Sequence, residues 1–261
     1  MRGDVADIAL AGVLFAPHYA RAMPRRCLLP VAAIREAPGD DGHLISELLH
    51  GEGFDVLDLS GGWAWGYSVH DHYVGYVRQE ALGLLAAPGW RVAVKTAEVS
   101  GADAPHSLSL GALVDGTPDG ADLVTAGGRI ALASLLPAEA NDSDPVAIAE
   151  RMIGAPYRMG GRSAHGIDCS GLVQIALSFA GIAAPRDSDL QAESLGNALA
   201  PDAQLRRGDL VFFPGHVGMM ADATHMIHAN GHAGAVSLEL LAQATARMAP
   251  EIAAAMSFRR P

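Results

Sequence analysis

Between His43 and Leu82 the chain never runs far without a turn residue. The stretch HLISELLHGEGFDVLDLSGGWAWGYSVHDHYVGYVRQEAL sets short apolar runs between Gly, Asp and Ser. That interval suits a small barrel of short strands. Within it, GGWAWGYSVHDHYVGYV reads as strand, tight turn, strand. Trp63, Trp65, Tyr67, Tyr73 and Tyr76 stand at spacings that favour period-2 faces, and the ordinary place of such aromatics is the core and edge of a barrel. The theme repeats more weakly in WRVAVKTAEVSG, SLSLGALVDG and ADLVTAGGRIALASLLP. Two consecutive small barrels are therefore expected, at residues 27–85 and 86–137, behind an N-terminal arm of residues 1–26.

A polar, proline-bounded segment, PAEANDSDP, has the composition of a linker and is set at residues 138–144. From residue 145 to 261 the character changes to α plus β. In DPVAIAERMIG, Asp144 stands at an N-cap, Pro145 in the first turn and Gly154 at the stop. CSGLVQIALSFAGI reads as a second helix ended by Gly181. GDLVFFPG, HVGMMAD and HMIHANG read as successive antiparallel strands joined by tight turns.

Composition narrows the function classes. Half of the 261 residues are hydrophobic, enough for a buried core. The formal net charge is −11 with no basic stripe, which disfavours nucleic acid as a partner. No run reaches the roughly 18 apolar residues of a membrane span. The apolar patch IALAGVLFA near the N-terminus resembles a signal peptide only superficially, because two aspartates precede it and no cleavage pattern follows cleanly. It is expected to form a short helix or arm packed on the body. Two cysteines in a chain of this length make neither a disulfide framework nor a CxxC metal site. Both are expected as free thiols in a cytoplasmic protein that needs no metal or other cofactor.

One of those cysteines is placed where chemistry is possible. HGIDCSG puts Cys169 at the first turn of the second helix, where free amides and the helix dipole favour a thiolate and can receive a developing oxyanion. A nucleophile of this kind needs a base and a group that orients the base. His216 begins a strand directly after FFPG, and His228 follows 12 residues later in MIHANG. Adjacent antiparallel strands can bring the two rings within hydrogen-bond reach, one accepting the thiol proton and the other holding its tautomer. His165, His225 and His232 are set aside as base or metal ligand. Cys27, beside Arg25 and Arg26, has no base nearby and is read as structural.

These segments carry a resemblance. GAPYRMGGRSAHGIDCSGLVQIAL, RRGDLVFFPGHVGMM and MIHANG resemble the three signature segments of the NlpC-type cysteine peptidases, papain-like enzymes that hydrolyse bacterial cell-wall peptides. The resemblance implies an α+β chain: a papain-like catalytic domain preceded by two small SH3-like β-barrels. It implies Cys169 as nucleophile, His216 as base, His228 as the orienting third member and Tyr157 as a contributor to the oxyanion hole. Barrels ahead of such a domain are similar to those of γ-D-glutamyl-L-diamino acid endopeptidases, which cut murein peptides whose L-alanine has a free amine. By that likeness Asp187 and Ser188 of PRDSDLQ, with Tyr73 of the first barrel, bind the amine, and Asp168 and Ser170 flank the nucleophile as further substrate contacts. The alternatives are an amidase or acyltransferase on the same thioester chemistry, and a non-catalytic cell-wall-binding protein.

Overall fold

The computed structural model describes residues 2–101, 106–141 and 144–261. They fall into two compact units that divide between Glu139 and Ala140. The linker read at residues 138–144 straddles that division, with residues 142 and 143 outside the described residues.

The first unit opens with two short parallel strands, β1 (Val5–Asp7) and β2 (His18–Ala20). They are tied to the sheet that follows: the Tyr67 hydroxyl donates to Asp7, and Arg2 pairs with Asp58. Between them the apolar patch does not pack on the body, contrary to the expectation from sequence. Only a single 3₁₀ turn forms, at Ile8–Leu10, and Val13 and Phe15 remain 84% and 89% exposed. The parallel pairing holds the two ends of the loop together and leaves its tip projecting.

Seven strands then form one antiparallel sheet: β3 (Met23–Cys27), β4 (Val31–Arg35), β5 (Leu44–Leu49), β6 (Gly53–Ser60), β7 (Trp63–Ser68), β8 (Val74–Arg78) and β9 (Leu82–Gly83). Their order is β5-β4-β8-β7-β6-β3-β9. The sheet thus starts at Met23, inside the stretch read as the arm. Alternation delivers its core: Cys27, Ile34, Leu48, Phe54, Val56, Ala64 and Val77 are buried together, and burial pushes the Cys27 thiol up to about 12. Trp63 and Trp65 are buried, while Tyr67, Tyr73 and Tyr76 are half-buried.

Among the described residues, the remainder of this unit does not close into a second barrel. It divides into three small antiparallel sheets. β10 (Trp90–Val92) lies between β13 (Leu113–Val114) and β17 (Leu135–Pro137); β11 (Thr96–Val99) pairs with β12 (His106–Ser109); and β15 (Asp122–Thr125) lies between β14 (Thr117–Asp119) and β16 (Gly128–Ala131). Strands of two to four residues, cut by Gly111, Gly116 and Gly120, are too short to pair continuously around a closed ring. Among the described residues no sheet of either region closes on itself.

The second unit is α+β. Helix α1 (Pro145–Arg151) starts on Asp144, whose carboxylate accepts from the Val146 and Ala147 amides. A two-residue ribbon, β18 (Arg162–Ser163) with β19 (Gly166–Ile167), leads into α2 (Cys169–Phe179). α2 is buried along its whole length except Ser178, as befits a central helix, and its buried Ser170 and Gln174 are hydrogen-bonded. It stops at Gly181, whose φ of +72° suits glycine beyond a helix end. After α3 (Ser188–Ser194), the strands β20 (Asn197–Ala198), β21 (Leu210–Phe213), β22 (His216–Met220), β23 (His225–Asn230), β24 (Ala235–Leu240) and β25 (Ser257–Arg260) form an antiparallel sheet in the order β20-β25-β21-β22-β23-β24. Helices α4 (Leu241–Ala246) and α5 (Pro250–Ala254) contribute Ala244 and Ile252 to a core with Val211, Phe213, Met220, Met226 and Phe258. α2 packs on β22 and β23.

Glycine at position 171 allows the start of α2 to approach the preceding loop. A Cβ there would lie 2.6 Å from the Gly161 carbonyl oxygen, which is backbone and cannot swing aside. Gly171→Ala is therefore expected to destabilise this unit by about 1 to 3 kcal/mol despite the better helix propensity of alanine. Thermal unfolding of the variant measures this, and a raised midpoint would contradict the close approach.

Candidate active site

Cys169 is the first residue of α2 and is 6% exposed. Asp168 caps that helix, its Oδ1 accepting from the Gly171 amide at 2.8 Å. The same carboxylate accepts from the Gly160 amide at 2.8 Å and from both arms of Arg186, at 3.0 and 2.6 Å. Ser170 Oγ lies 3.3 Å from Asp168 Oδ1 and accepts from Arg186 at 2.9 Å. Asp168 and Ser170, read from sequence as substrate contacts, are thus buried and committed to bonds inside the fold. They hold the start of α2 in place.

Burial sets the electrostatics of the thiol. It pushes Cys169 up to about 11, helped by the Asp168 charge, against the opposing pull of backbone hydrogen bonds from Val217 and Ser170 and of the Arg186 charge. The expected thiolate-favouring helix start is therefore outweighed, because the thiol is out of water and the capping carboxylate sits at the positive end of the helix. The bond from Val217 places the sulfur beside the residue that follows His216.

His216 owes its position to the turn before it. Pro214 and Gly215 join Phe213 to His216, and Gly215 has φ +73°, the pattern of a type II turn. β22 and β23 then run antiparallel, with Met219 opposite Ile227 and Met220 opposite Met226. His216 Nε2 lies 2.8 Å from His228 Nδ1, and the two rings meet edge to face at 5.0 Å between centroids. Gly218 faces His228 across the strands; a Cβ there would stand 3.3 Å from the His228 Cβ and collide with the Met226 side chain. Burial pushes His216 down to about 4, with His228 adding to the fall and Glu239 opposing it. His228, 2% exposed, is also lowered by burial, against the hydrogen bond and charge of Glu239.

The chain of contacts continues further than the sequence indicated. His228 Nε2 lies 2.7 Å from Glu239 Oε1 on β24, and Arg247 donates to both oxygens of Glu239 at 2.6 Å. The Arg247 bonds hold Glu239 below its ordinary carboxylate value. His216, His228, Asn230, Gly231, His232 and Arg247 line an open groove of ≈ 560 Å³.

The remaining predicted residues fall in different places. Tyr157, half-buried ahead of β18, stands close enough to Cys169 and Asp168 that their charges add to the rise that burial imposes on its phenol. Asp187 is the N-cap residue and Ser188 the first residue of α3, both half-buried. α3 is pinned to α2 by Gln191, whose Nε2 donates to the Ser170 and Pro185 carbonyls at 3.1 and 2.8 Å. Tyr73 lies in the first unit, in the turn between β7 and β8, its amide donating to Ser68 and Asp71. His225 also lies on β23, but its ring is bound to Asp222 at 2.9 Å. Arg186, Gln191, Glu239 and Arg247 were not found from sequence. Only Asp168 before an apolar run was a signal, since a capping carboxylate in a buried place calls for a cation.

Residues 154–249 match the NlpC/P60 family, and residues 34–82 match the bacterial dipeptidyl-peptidase Sh3 domain. The chain is 40% identical over 78 residues to Dipeptidyl-peptidase 6 of Lysinibacillus sphaericus, across 30% of this chain and 28% of that protein. It is 39% identical over 91 residues to Gamma-DL-glutamyl hydrolase of Bacillus subtilis, across 31% of this chain and 22% of that one. The chain therefore spans less than a third of the length of either relative. The crystal structure of an NlpC/P60 family protein from Bacillus cereus shares the fold, with a TM-score of 0.77 at 19% identity over 91% of this chain and 99% of that one.

Replacing Arg186 with methionine would leave the Asp168 carboxylate buried without its cation. Loss of one partner of a buried pair costs about 3 to 5 kcal/mol, so Arg186→Met should lower the unfolding midpoint steeply. Denaturant titration against the wild type measures it, and a change under about 1 kcal/mol would contradict the assigned dependence of Asp168 on Arg186.

Proposed function

From the premise that this chain carries an NlpC/P60 domain at residues 154–249 and a bacterial Sh3 domain at residues 34–82, we propose that it is a cysteine peptidase acting on murein-derived peptides. The observation that carries the reading is the hydrogen-bonded pair His216–His228 on strands packed against the helix that begins with Cys169. With His216 Nε2 engaged by His228, Nδ1 is the nitrogen left to receive the thiol proton. The sulfur then attacks the scissile carbonyl, and the tetrahedral intermediate collapses to a thioester as the amine leaves with the proton from His216. Water, deprotonated by the same ring, hydrolyses the thioester and restores the thiol. Tyr157, beside the sulfur, is assigned to the oxyanion.

The bond proposed is γ-D-Glu to a diamino acid, in peptides whose L-alanine has a free amine. Asp187 and Ser188 are assigned to that ammonium because they stand at the start of the helix that Gln191 ties to Ser170, next to the nucleophile. Tyr73 is assigned to the same amine by resemblance. A freed peptide, rather than the wall polymer, is the substrate of this reading. Two free thiols suit a reducing compartment, so a role in peptide recycling in the cytoplasm is proposed with it.

Mass spectrometry of L-Ala-γ-D-Glu-diaminopimelate incubated with the protein locates the cut bond. Cys169→Ala should abolish turnover, and activity equal to wild type would end the peptidase reading. N-acetylating the alanine removes the positive charge of that ammonium and should lower kcat/KM roughly ten- to hundred-fold. Equal rates on both peptides would remove the amine requirement and leave the thiol mechanism standing.

The histidine also predicts a pH profile. The base works only as neutral imidazole, and His216 is neutral above about 4, well below its ordinary 6.5. The acid limb of kcat/KM should therefore fall near pH 4, with activity sustained through the range where an unperturbed histidine would already be protonated. A pH–rate series measures this, and an acid limb near pH 6.5 would contradict it.

A further inference from the structure

We infer that Glu239 is a positioning residue that sets the tautomer of His216, through His228, so that the base nitrogen is free to face the thiol. The inference rests on the peptidase reading and extends it by one residue. Neutral imidazole carries one hydrogen, and which nitrogen holds it decides whether His216 is a base or a donor toward Cys169. Nothing intrinsic to a pair of hydrogen-bonded histidines makes that choice, since either ring can donate to the other.

Glu239 breaks the symmetry. Its two oxygens take both arms of Arg247 at 2.6 Å, so the group facing His228 is an ionised carboxylate, which only accepts. His228 Nε2, 2.7 Å from Oε1, must therefore carry the hydrogen. In a neutral ring the lone pair is then on Nδ1. His216 Nε2, 2.8 Å from that Nδ1, must donate to it, which puts the lone pair of His216 on its own Nδ1. The opposite arrangement would place a hydrogen on His216 Nδ1 and leave the thiol with no acceptor.

The strands make this relay geometrically natural. Met226 pairs with Glu239 and His228 with Ser237, so His228 and Glu239 are diagonal neighbours on one face of the β23–β24 pair. His228 is 2% exposed, which keeps water from competing for its Nε2 hydrogen. Glu239 does not line the groove, so it acts through the groups it holds, His228 on one side and Arg247 on the other, and only the path through His228 reaches the tautomer of His216.

The test is Glu239→Gln, which keeps the shape but presents either an oxygen or an amino group to His228. In nitrogen-15 NMR of the wild type, His216 should show a protonated Nε2 and an unprotonated Nδ1. In Glu239→Gln both tautomers should appear, and kcat should fall roughly ten- to hundred-fold with KM unchanged. Glu239→Ala, which removes the acceptor altogether, should give the same mixed signature and lower kcat in the same direction. A wild-type His216 protonated at Nδ1 would overturn the inference. So would a Glu239→Gln protein with wild-type tautomer and kcat while Cys169→Ala is inactive. The tautomer is read without turnover, so failure of the peptidase reading, seen as activity surviving Cys169→Ala, is distinguishable from failure of this inference.

Discussion

The Asp168 carboxylate, 3% exposed, is the point through which the second unit holds its candidate nucleophile. It ties together three pieces of chain that sequence separates: the loop at Gly160, the first turn of α2 at Gly171, and Arg186 beyond the helix. A charge so deeply buried is tolerated only because its oxygens are saturated and its cation is bidentate. The arrangement stabilises the start of α2 in one orientation, and it keeps a negative charge beside Cys169. The cost falls on the thiol, which is pushed toward its neutral form.

The other half of the site is built by the sheet. Strands β22, β23 and β24 each contribute one member of a line of polar side chains, His216, His228 and Glu239, and the line ends on the partly exposed Arg247. Polar groups in a row across three strands require room between them, and Gly218 supplies it by placing no side chain against His228. Charge decreases along the line from a fixed cation and carboxylate at one end to two rings that burial keeps neutral at the other.

Legibility from sequence differed from region to region for physical reasons. Asp144 with Pro145, Gly181 after α2, and the Pro214–Gly215 turn were all read correctly because each is a local rule of backbone geometry. The strand character of residues 23–83 was equally clear, since alternation and turn residues are local too. Closure into a barrel was not local: the end strands of the seven-stranded sheet do not pair with each other, and the described residues between 90 and 137 split into three sheets. The apolar patch at residues 8–16 was misjudged as packed, because hydrophobic content alone says nothing of where a loop held at both ends will point.

Within the site, the sequence by itself determined which residue types were present and where on an element each would sit: a cysteine at a helix start, a histidine after a tight turn, a second histidine on the next strand. Those follow from caps, turns and period-2 alternation, each set by a few neighbouring residues. Tertiary structure alone decided that the thiol would be buried beside a carboxylate, that Arg186 would neutralise that carboxylate from 18 residues away, and that Glu239 would stand behind His228. Ionisation and tautomer depend on distance, desolvation and the charge of groups remote in sequence, and those quantities do not exist until the chain has packed.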